Sequence, residues 1–268
     1  MIYILLGLAL IIGLYFILIA PSTKKINTEA FLEWDYAHRG LFDNSLGIPE
    51  NTMPAIEKAL AYNYGMEFDV QITKDKRLIL FHDWTMKRMS GLDKKIKDLS
   101  LKEIYKHNIL DTDLKPPLFT DVLEKVDGKV PLIIELKGEG KDIDEICFLT
   151  SQILDNYKGP FMVESFNPLI VRWFKKNRPQ YIRGQLSSGK FEDQNIFASF
   201  FMKYLLVNIL SRPHFIAYEH IYKKNLSLNI INNVWDIPLV AYTVKSSKAY
   251  NKAKPPFNLI IFEGFMPN

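Results

Sequence analysis

The sequence predicts a parallel α/β fold that follows one membrane-spanning helix, and two patterns support this prediction. Residues 2–20 carry no charge and no strongly polar side chain. From Phe31 onward, short runs rich in Val, Ile and Phe alternate with amphipathic stretches. Such alternation over roughly 240 residues is typical of a closed barrel or of a doubly wound sheet. We therefore expect one large α/β domain after an apolar N-terminal segment.

The composition excludes several classes of protein. The single cysteine, Cys147, excludes an internal disulfide framework and a zinc or iron–sulfur site built from several cysteines. The chain has 34 basic and 30 acidic residues, a net charge of +4 at pH 7. No dense basic patch interleaved with aromatic residues accompanies this small excess, so we expect no nucleic-acid partner.

The apolar N-terminal segment predicts a helix that crosses a membrane. At 1.5 Å per residue, residues 2–20 span roughly 28 Å, which matches the hydrocarbon core of a bilayer. A cleaved signal peptide would begin with basic residues and end at a small-x-small site. Here no Lys or Arg precedes the segment, and Leu18-Ile19-Ala20-Pro21 is a poor cleavage site. A buried core helix is disfavoured because the segment is apolar on all sides.

The anchor divides the chain into three predicted segments. Residues 1–22 are expected to form the transmembrane anchor, residues 23–33 a linker, and residues 34–268 the α/β domain. Lys24 and Lys25 directly follow the span. By the positive-inside rule, this order puts the α/β domain on the cytoplasmic side of a single-pass protein of the cell membrane.

Nine short apolar runs predict β-strands. Residues 74–77, Lys-Asp-Lys-Arg, read as a tight turn, so the third strand folds back on the second as a hairpin and eight strands remain. Residues 84–117 form a polar, helix-poor insertion after this hairpin. The predicted strands are Tyr36–Arg39, Met66–Ile72, Leu78–His82, Pro131–Leu136, Phe161–Ser165, Tyr181–Leu186, Phe215–Tyr218, Pro238–Val244 and Leu259–Phe262. The predicted helices include 53–63, 101–107, 119–126, 142–156 and 168–177.

Acidic residues on the predicted strands indicate a metal site. Glu67 and Asp69 are two residues apart in one strand, so period-two alternation directs both carboxylates to the same face, towards the interior of a barrel. Two unpaired anions on a buried face repel each other, and a divalent cation would remove that repulsion. Glu135, at the end of another apolar strand, is the third candidate ligand for a hard ion such as Mg²⁺ or Ca²⁺. Alternatively, these acids pair with Lys or Arg and only stabilise the fold.

Two histidines occupy matching places at strand ends. His38 lies in Ala37-His38-Arg39-Gly40, and His82 in Phe81-His82-Asp83. Beside a metal cluster, such a pair suggests a general base and a general acid, although a single histidine in this position is more often structural. Arg39 and Lys137 are candidate cationic donors to a phosphate, or else structural partners of the acids.

The ordered set of these short motifs resembles the glycerophosphodiester phosphodiesterase family. Over residues 34–268 the chain reads in order His-Arg-Gly at 38–40, Pro-Glu-Asn-Thr at 49–52, Glu-Phe-Asp-Val at 67–70, His-Asp at 82–83, Glu-Leu-Lys at 135–137 and Ser-Phe at 165–166. The resemblance implies a (β/α)8 TIM barrel with a β-hairpin extension and an insertion after strand 2, and a site at the C-terminal mouth of the barrel.

The resemblance also implies a role for each candidate residue. Glu67, Asp69 and Glu135 would bind one divalent cation, Mg²⁺ or Ca²⁺, and His38 and His82 would form the acid–base pair. The remaining three, Arg39, Lys137 and Glu50, would contact the substrate, with Glu50 at or next to the metal ligands. The implied reaction converts a glycerophosphodiester to sn-glycerol 3-phosphate and an alcohol. The glycerol 2-hydroxyl would attack phosphorus, and water would open the resulting cyclic phosphate.

The C-terminal part departs from the family pattern. The late Trp-Thr-Val-Asn motif reads Tyr-Thr-Val-Lys at 242–245, and the usual Thr-Asp-x-Pro region reads Glu-Gly-Phe-Met-Pro from Glu263. Glu263 would stand near the usual Asp. These changes affect the rim of the substrate pocket, and they motivate an alternative function: a catalytically weak, membrane-anchored barrel that binds lipid headgroups or a membrane partner.

An apolar segment at 196–210 raises the question of a lipid substrate. It is interrupted mainly by Lys203 and Asn208 and is too short for a second span. It predicts either an outer barrel helix or an interfacial helix near the barrel mouth. In the second case the partners would be the lipid bilayer and a lysophospholipid or another glycerophosphate-bearing lipid, rather than a soluble diester alone.

Overall fold

A computed structural model describes residues 1–24, 26–191 and 195–267 of the 268-residue chain. In this described part, eight parallel strands close into a barrel, and one further strand, β3, pairs antiparallel with β2 outside it. The predicted barrel with its hairpin extension is therefore confirmed, and a doubly wound sheet is excluded. The strands are β1 Asp35–His38, β2 Gly65–Ile72, β3 Leu78–Leu80, β4 Leu132–Leu136, β5 Phe161–Ser165, β6 Ile182–Ser187, β7 Phe215–Glu219, β8 Leu239–Val244 and β9 Leu259–Phe262.

Helices surround the barrel and connect its strands. Thr52 is the N-cap residue of α3, which ends at Ala61, two residues before its predicted end, and Gly65 begins β2. The helices are α1 Ile2–Ile19, α2 Glu29–Leu32, α3 Met53–Ala61, α4 Lys87–Ser90, α5 Leu101–Ile104, α6 Phe119–Val126, α7 Asp142–Leu154, α8 Pro168–Asn177, α9 Ile196–Lys203, α10 Asn208–Ser211, α11 Leu226–Trp235 and α12 Ser247–Ala253.

The insertion at 84–117 has a small core of its own. Met86, Met89, Ile96 and Ile104 are buried there against the hairpin residue Ile79. This packing fixes the chain that follows β3, so the insertion supports the segment that carries His82.

Helix α1 is long and apolar enough, by length and composition, to cross a membrane. Its 18 residues have a mean hydropathy of 2.8, and most of them are exposed. Its last turn instead packs on the barrel, where Ile19 is fully buried. Lys25, one of the two basic residues after the span, lies outside the described residues, as does Asn268.

Polar contacts hold the end of α1 on the outside of the barrel. The side chain of Asn208 donates to the carbonyl of Ile19 at 2.8 Å, and Arg212 Nη1 donates to the carbonyls of Ile17 and Ala20 at 2.9 and 2.8 Å. These donors satisfy carbonyls that a helix C-terminus leaves without an intrahelical partner. Helix α1 is thus fixed to the domain at its C-terminal turn.

The segment 23–33 contains helix α2 and contributes to the core. Phe31 is 4% exposed and packs with barrel residues that include Tyr36 and Ile133. The hydroxyl of Tyr36 donates to the carbonyl of Phe31 at 3.0 Å. Hydrophobic burial therefore fixes α2 to the barrel.

Candidate active site

The alternation of β2 builds one polar face inside the barrel. Glu67, Asp69 and Gln71 are two residues apart, and all three are buried. The strand register aligns Glu67 with His38 of β1 and Asp69 with Glu135 of β4. Because neighbouring residues in register project from the same face of a sheet, these side chains converge in the barrel.

A turn after β1 brings the backbone of the His-Arg-Gly motif close to β2. Arg39 and Gly40 both have positive φ, at 56° and 77°. A Cβ at Gly40 would approach the Ala55 backbone to 2.8 Å, so glycine is required there for space as well as conformation. The turn lets the Arg39 N–H donate to Glu67 Oε2 at 3.2 Å.

The three predicted metal ligands lie together. One carboxylate oxygen from each of Glu67, Asp69 and Glu135 lies within 4.8 Å of the others, and all three residues are buried. Burial and the neighbouring charges of Asp69 and Glu135 raise the pKa of Glu67 well above its ordinary value. Burial alone would also raise the pKa of Asp69, but Lys137, His82 and Arg39 lower it strongly.

Two cations partly neutralise this cluster. Lys137 Nζ lies 3.1 Å from Asp69 and 2.8 Å from Glu135, and Arg39 Nε lies 3.4 Å from Asp69. Glu67 differs, because among the described residues no lysine or arginine side chain reaches it within ion-pair distance. The alternative that these acids only form ion pairs with lysine or arginine therefore accounts for Asp69 and Glu135 but not for Glu67.

The donor set fits a hard divalent cation. Among the described residues, four buried carboxyl groups, those of Glu67, Asp69, Glu135 and Glu164, face two permanently charged cations, Arg39 and Lys137. This leaves an excess of two negative charges when all four are ionised. Carboxylate oxygens are the ligands that Mg²⁺ and Ca²⁺ prefer, so these residues suit either ion.

His38 is held by a carboxylate on the last strand. Its Nδ1 lies 2.5 Å from Glu263 Oε2, while Nε2 faces Glu67 at 3.9 Å. Burial lowers the pKa of His38, although the hydrogen bond to Glu263 acts in the opposite direction. Burial alone would raise the pKa of Glu263, but His38 and Lys245 lower it to about 2. The contact fixes the imidazole ring with Nε2 towards the carboxylate cluster.

His82 is also held by a carboxylate. Its Nδ1 lies 2.7 Å from Asp83, and Arg88 Nε donates to the same carboxylate at 2.7 Å. Arg88 also reaches Glu50, which accepts from Arg39 Nη1 at 2.6 Å. Glu50 therefore joins two arginines at the rim and lies next to the ligand cluster.

Three polar residues without a predicted role complete the site. Asn51 donates to Asp69 at 2.9 Å, and Gln71 Nε2 donates to the carbonyls of Phe81, His82 and Asp83, which fixes the turn that carries His82. Glu164 aligns with Glu135, is 2% exposed, and its Oε2 has no hydrogen-bond partner among the described residues. The alternation of acids on consecutive strands could have identified Glu164 from the sequence.

Two cavities lie at this cluster and share the lining residues Glu135, Phe166 and Tyr242. The smaller, about 170 Å³, is lined by both histidines, Glu67, Glu135 and Glu164. The larger, about 760 Å³, begins at Glu135 and Lys137 and extends to α9. Its lining includes the large apolar side chains of Trp84, Phe166, Phe191, Phe201 and Met202. The candidate site therefore extends from the carboxylate cluster to apolar side chains on α9.

Comparison with known proteins identifies the family. The model of the glycerophosphoryl diester phosphodiesterase family matches residues 38–252. The chain belongs to this family. The matched range contains every predicted site residue, whereas Glu263 lies beyond it.

Individual members of the family show the same relationship. The chain is 33% identical, over 56% of its length, to a glycerophosphodiester phosphodiesterase of Caldanaerobacter subterraneus. It is 31% identical, over 56% of its length, to lysophospholipase D GDPD1 of Rattus norvegicus. The aligned segments span 65% and 50% of these two relatives. An Oleispira antarctica phosphodiesterase, solved with the product sn-glycerol-3-phosphate, matches the fold with a TM-score of 0.66 and 17% identity, over 85% of this chain and 92% of that one.

We expect Glu263→Ala to lower kcat about 10–100-fold while KM changes little. The reason is that the variant releases His38 Nδ1 from its 2.5 Å contact and lets the ring rotate. Steady-state kinetics on a glycerophosphodiester would measure the effect. Lys245→Gln is the matched control, since it removes only the outer partner of Glu263. An equal loss in both variants would argue against positioning of His38.

Proposed function

We propose that the chain hydrolyses glycerophosphodiesters in a metal-dependent reaction, giving an sn-glycerol 3-phosphate-type product and an alcohol. The observation that carries this proposal is the buried carboxylate of Glu67 beside Asp69 and Glu135, which forms no ion pair with a described lysine or arginine. Mg²⁺ or Ca²⁺, held by these three residues, would polarise the phosphoryl oxygens and stabilise the charge that develops on them.

The residues around the cluster suit transfer through a cyclic phosphate. The substrate supplies its own nucleophile, the glycerol 2-hydroxyl, so that no activated serine or cysteine is needed. One of His38 and His82 would accept the proton of this hydroxyl, and the other would protonate the leaving alcohol. Arg39 and Lys137 would donate to the phosphoryl oxygens, and Glu50 would hold Arg39 in place.

Product analysis tests this function directly. Purified protein should release glycerol 3-phosphate from glycerophosphocholine or another diester of a panel, and EDTA should stop the release. Added Mg²⁺ or Ca²⁺ should restore it. Absence of release from every diester with either metal would favour the alternative of a barrel that only binds lipid headgroups.

We also propose that the preferred substrates are lysophospholipids or other lipids that carry a glycerophosphate group. Four large side chains on α9 form an exposed apolar surface beside the larger cavity: Ile196, Phe197, Phe200 and Phe201 are 79%, 73%, 53% and 46% exposed. Phe201 also lines that cavity, so one apolar path leads from the site to this surface. An acyl chain is the kind of ligand that such a path accommodates.

We expect Phe201→Asp to reduce the ratio of kcat/KM for a lysophospholipid to that for glycerophosphocholine about tenfold or more. Burying an apolar side chain contributes about 1.5–3 kcal/mol, and the aspartate removes that contribution only for the acyl-bearing substrate. Phe148→Asp is the control, because Phe148 is equally exposed, at 48%, on α7. If the wild type cleaves glycerophosphocholine well but no lysolipid, a soluble diester is the substrate.

We further propose that α1 anchors the barrel on the cytoplasmic side of the cell membrane. The apolar helix and the lysines after it support this orientation. Protease added to intact cells should leave residues 29–268 uncut, whereas protease added to inverted vesicles should remove them. Cleavage in intact cells would reverse the orientation.

A further inference from the structure

A basic cavity lies outside the barrel, separate from the two cavities of the candidate site. Its volume is about 490 Å³, which is within the range of small-molecule sites. Five of its lining residues carry a basic nitrogen, namely Lys203, Lys223, Lys224, Lys252 and His220, and its described lining residues include no acid. The cavity therefore offers positive charge without an internal counterion.

The lysines are arranged without acidic partners. In the part of the chain that the structure describes, none of the four forms an ion pair with a carboxylate. Lys223 Nζ donates instead to the carbonyls of Lys252 and Pro255, and Lys203 Nζ lies 5.5 Å from the centre of the Tyr204 ring. Like charges around one cavity repel each other, and a bound anion with more than one negative charge would remove that repulsion.

The basic cavity and the larger cavity of the candidate site are lined by residues that lie close together in the chain. On α9, Phe201 lines the site cavity, whereas Lys203 lines the basic cavity. After β6, Ser188 lines the first and Gly189 the second. Both cavities thus lie at the carboxyl ends of the strands, on either side of α9, so that one surface contact can cover both.

The anchor helix passes next to this cavity. The hydroxyl of Tyr15 on α1 lies 2.7 Å from Ser227 Oγ, two residues after the cavity residue Asn225. Ile221 and Leu226 beside the cavity are 63% and 60% exposed. Lysines flanked by exposed apolar side chains are typical of surfaces that contact anionic lipid headgroups.

We propose that this basic cavity binds the phosphate group of an anionic phospholipid headgroup, at a site distinct from the catalytic one. The lysines supply the charges, and the adjacent apolar side chains lie where acyl chains would begin. The same lysines would also bind a soluble phosphate, so lipid-borne and free phosphate must be compared. The proposal does not depend on the phosphodiesterase activity, because the binding site contains none of the predicted catalytic residues.

Binding of short-chain lipids to the full chain in detergent micelles tests the site. The probe is dihexanoyl phosphatidic acid, which has no free glycerol hydroxyl, and dihexanoyl phosphatidylcholine and inorganic phosphate are measured beside it. The test variant is Lys203→Gln/Lys224→Gln/Lys252→Gln, and the matched control, with exposed lysines far from the cavity, is Lys102→Gln/Lys158→Gln/Lys176→Gln.

Calorimetry should show that phosphatidic acid binds more tightly than phosphatidylcholine. The test variant should weaken this binding on the order of 100-fold, about fivefold for each lysine, and the control should leave it unchanged. Equal binding of inorganic phosphate would assign the site to soluble phosphates, whereas a requirement for the acyl chains would assign it to lipid. Three results would overturn the proposal. The first is that neither phosphatidic acid nor inorganic phosphate binds, and the second is that the two lipids bind with equal affinity. The third is that both triple variants lose the same amount of affinity.

Discussion

Replacing His38 or His82 with alanine is expected to reduce hydrolysis of a glycerophosphodiester by about 10²–10⁴-fold, the usual contribution of a general acid or base. Each imidazole is fixed at Nδ1 by a carboxylate, Glu263 or Asp83, which leaves Nε2 of each ring free to exchange a proton. The loss should appear in kcat, measured by release of glycerol 3-phosphate, since neither variant changes a candidate metal ligand.

A third histidine provides the control for this experiment. His107→Ala removes an imidazole from the insertion, at a position that lines neither cavity of the site. Its turnover should match the wild type, and thermal melting should show that all three variants fold. Near-wild-type turnover in either His38→Ala or His82→Ala would refute the acid–base assignment.

Glu67→Gln is expected to abolish turnover and yet raise the melting temperature of the metal-free protein. Burial and neighbouring acids raise the pKa of Glu67 in the folded state. Because a raised carboxyl pKa means that Glu67 holds its proton more tightly in the folded than in the unfolded state, its contribution to the stability of the metal-free wild type falls as pH rises above about 4.3. The neutral amide of Gln removes this loss, so differential scanning fluorimetry at pH 7–8 should show a higher melting temperature.

When metal is added, the melting temperature of the wild type should rise above that of Glu67→Gln. A cation at 100 times its dissociation constant stabilises the wild type by about 2.7 kcal/mol, or about 5–10 °C for a domain of this size. Glu67→Gln should show little of this gain, and Glu145→Gln, a change at a partly exposed residue on α7, should respond to metal as the wild type does. If metal raised the melting temperature of Glu67→Gln as much as that of the wild type, the metal would bind elsewhere. Retained activity in Glu67→Gln would likewise argue against a metal held by Glu67.

The architecture was largely predictable because the local sequence patterns mark the same strands that the barrel contains. All nine predicted strands are present, with bounds shifted by at most two residues, and the turn at 74–77 does fold β3 back on β2. Helix ends were less predictable. Tyr62 is the C-cap residue of α3, whereas the pattern extended this helix to residue 63, and helix ends are defined only to within one or two residues.

Part of the candidate site was also predictable from the sequence, and part was not. Period-two alternation in β2 was enough to bring Glu67 and Asp69 to one face, and strand register does bring Glu135 next to them. The partners across the barrel were harder to predict, because nothing local to Glu263 or Arg88 indicates a histidine or a glutamate 225 or 38 residues away. Their contacts depend on closure of the barrel and on the packing of the insertion.

The attachment of α1 to the barrel has a consequence for how a membrane-bound form would meet its substrate. Asn208 and Arg212 hold the final carbonyls of the helix, so the domain cannot swing on a loose tether. Encounters would then arise from lateral diffusion of lipids within the leaflet. The rate should follow the surface mole fraction of substrate, and dilution with inert lipid should slow it even at constant bulk concentration.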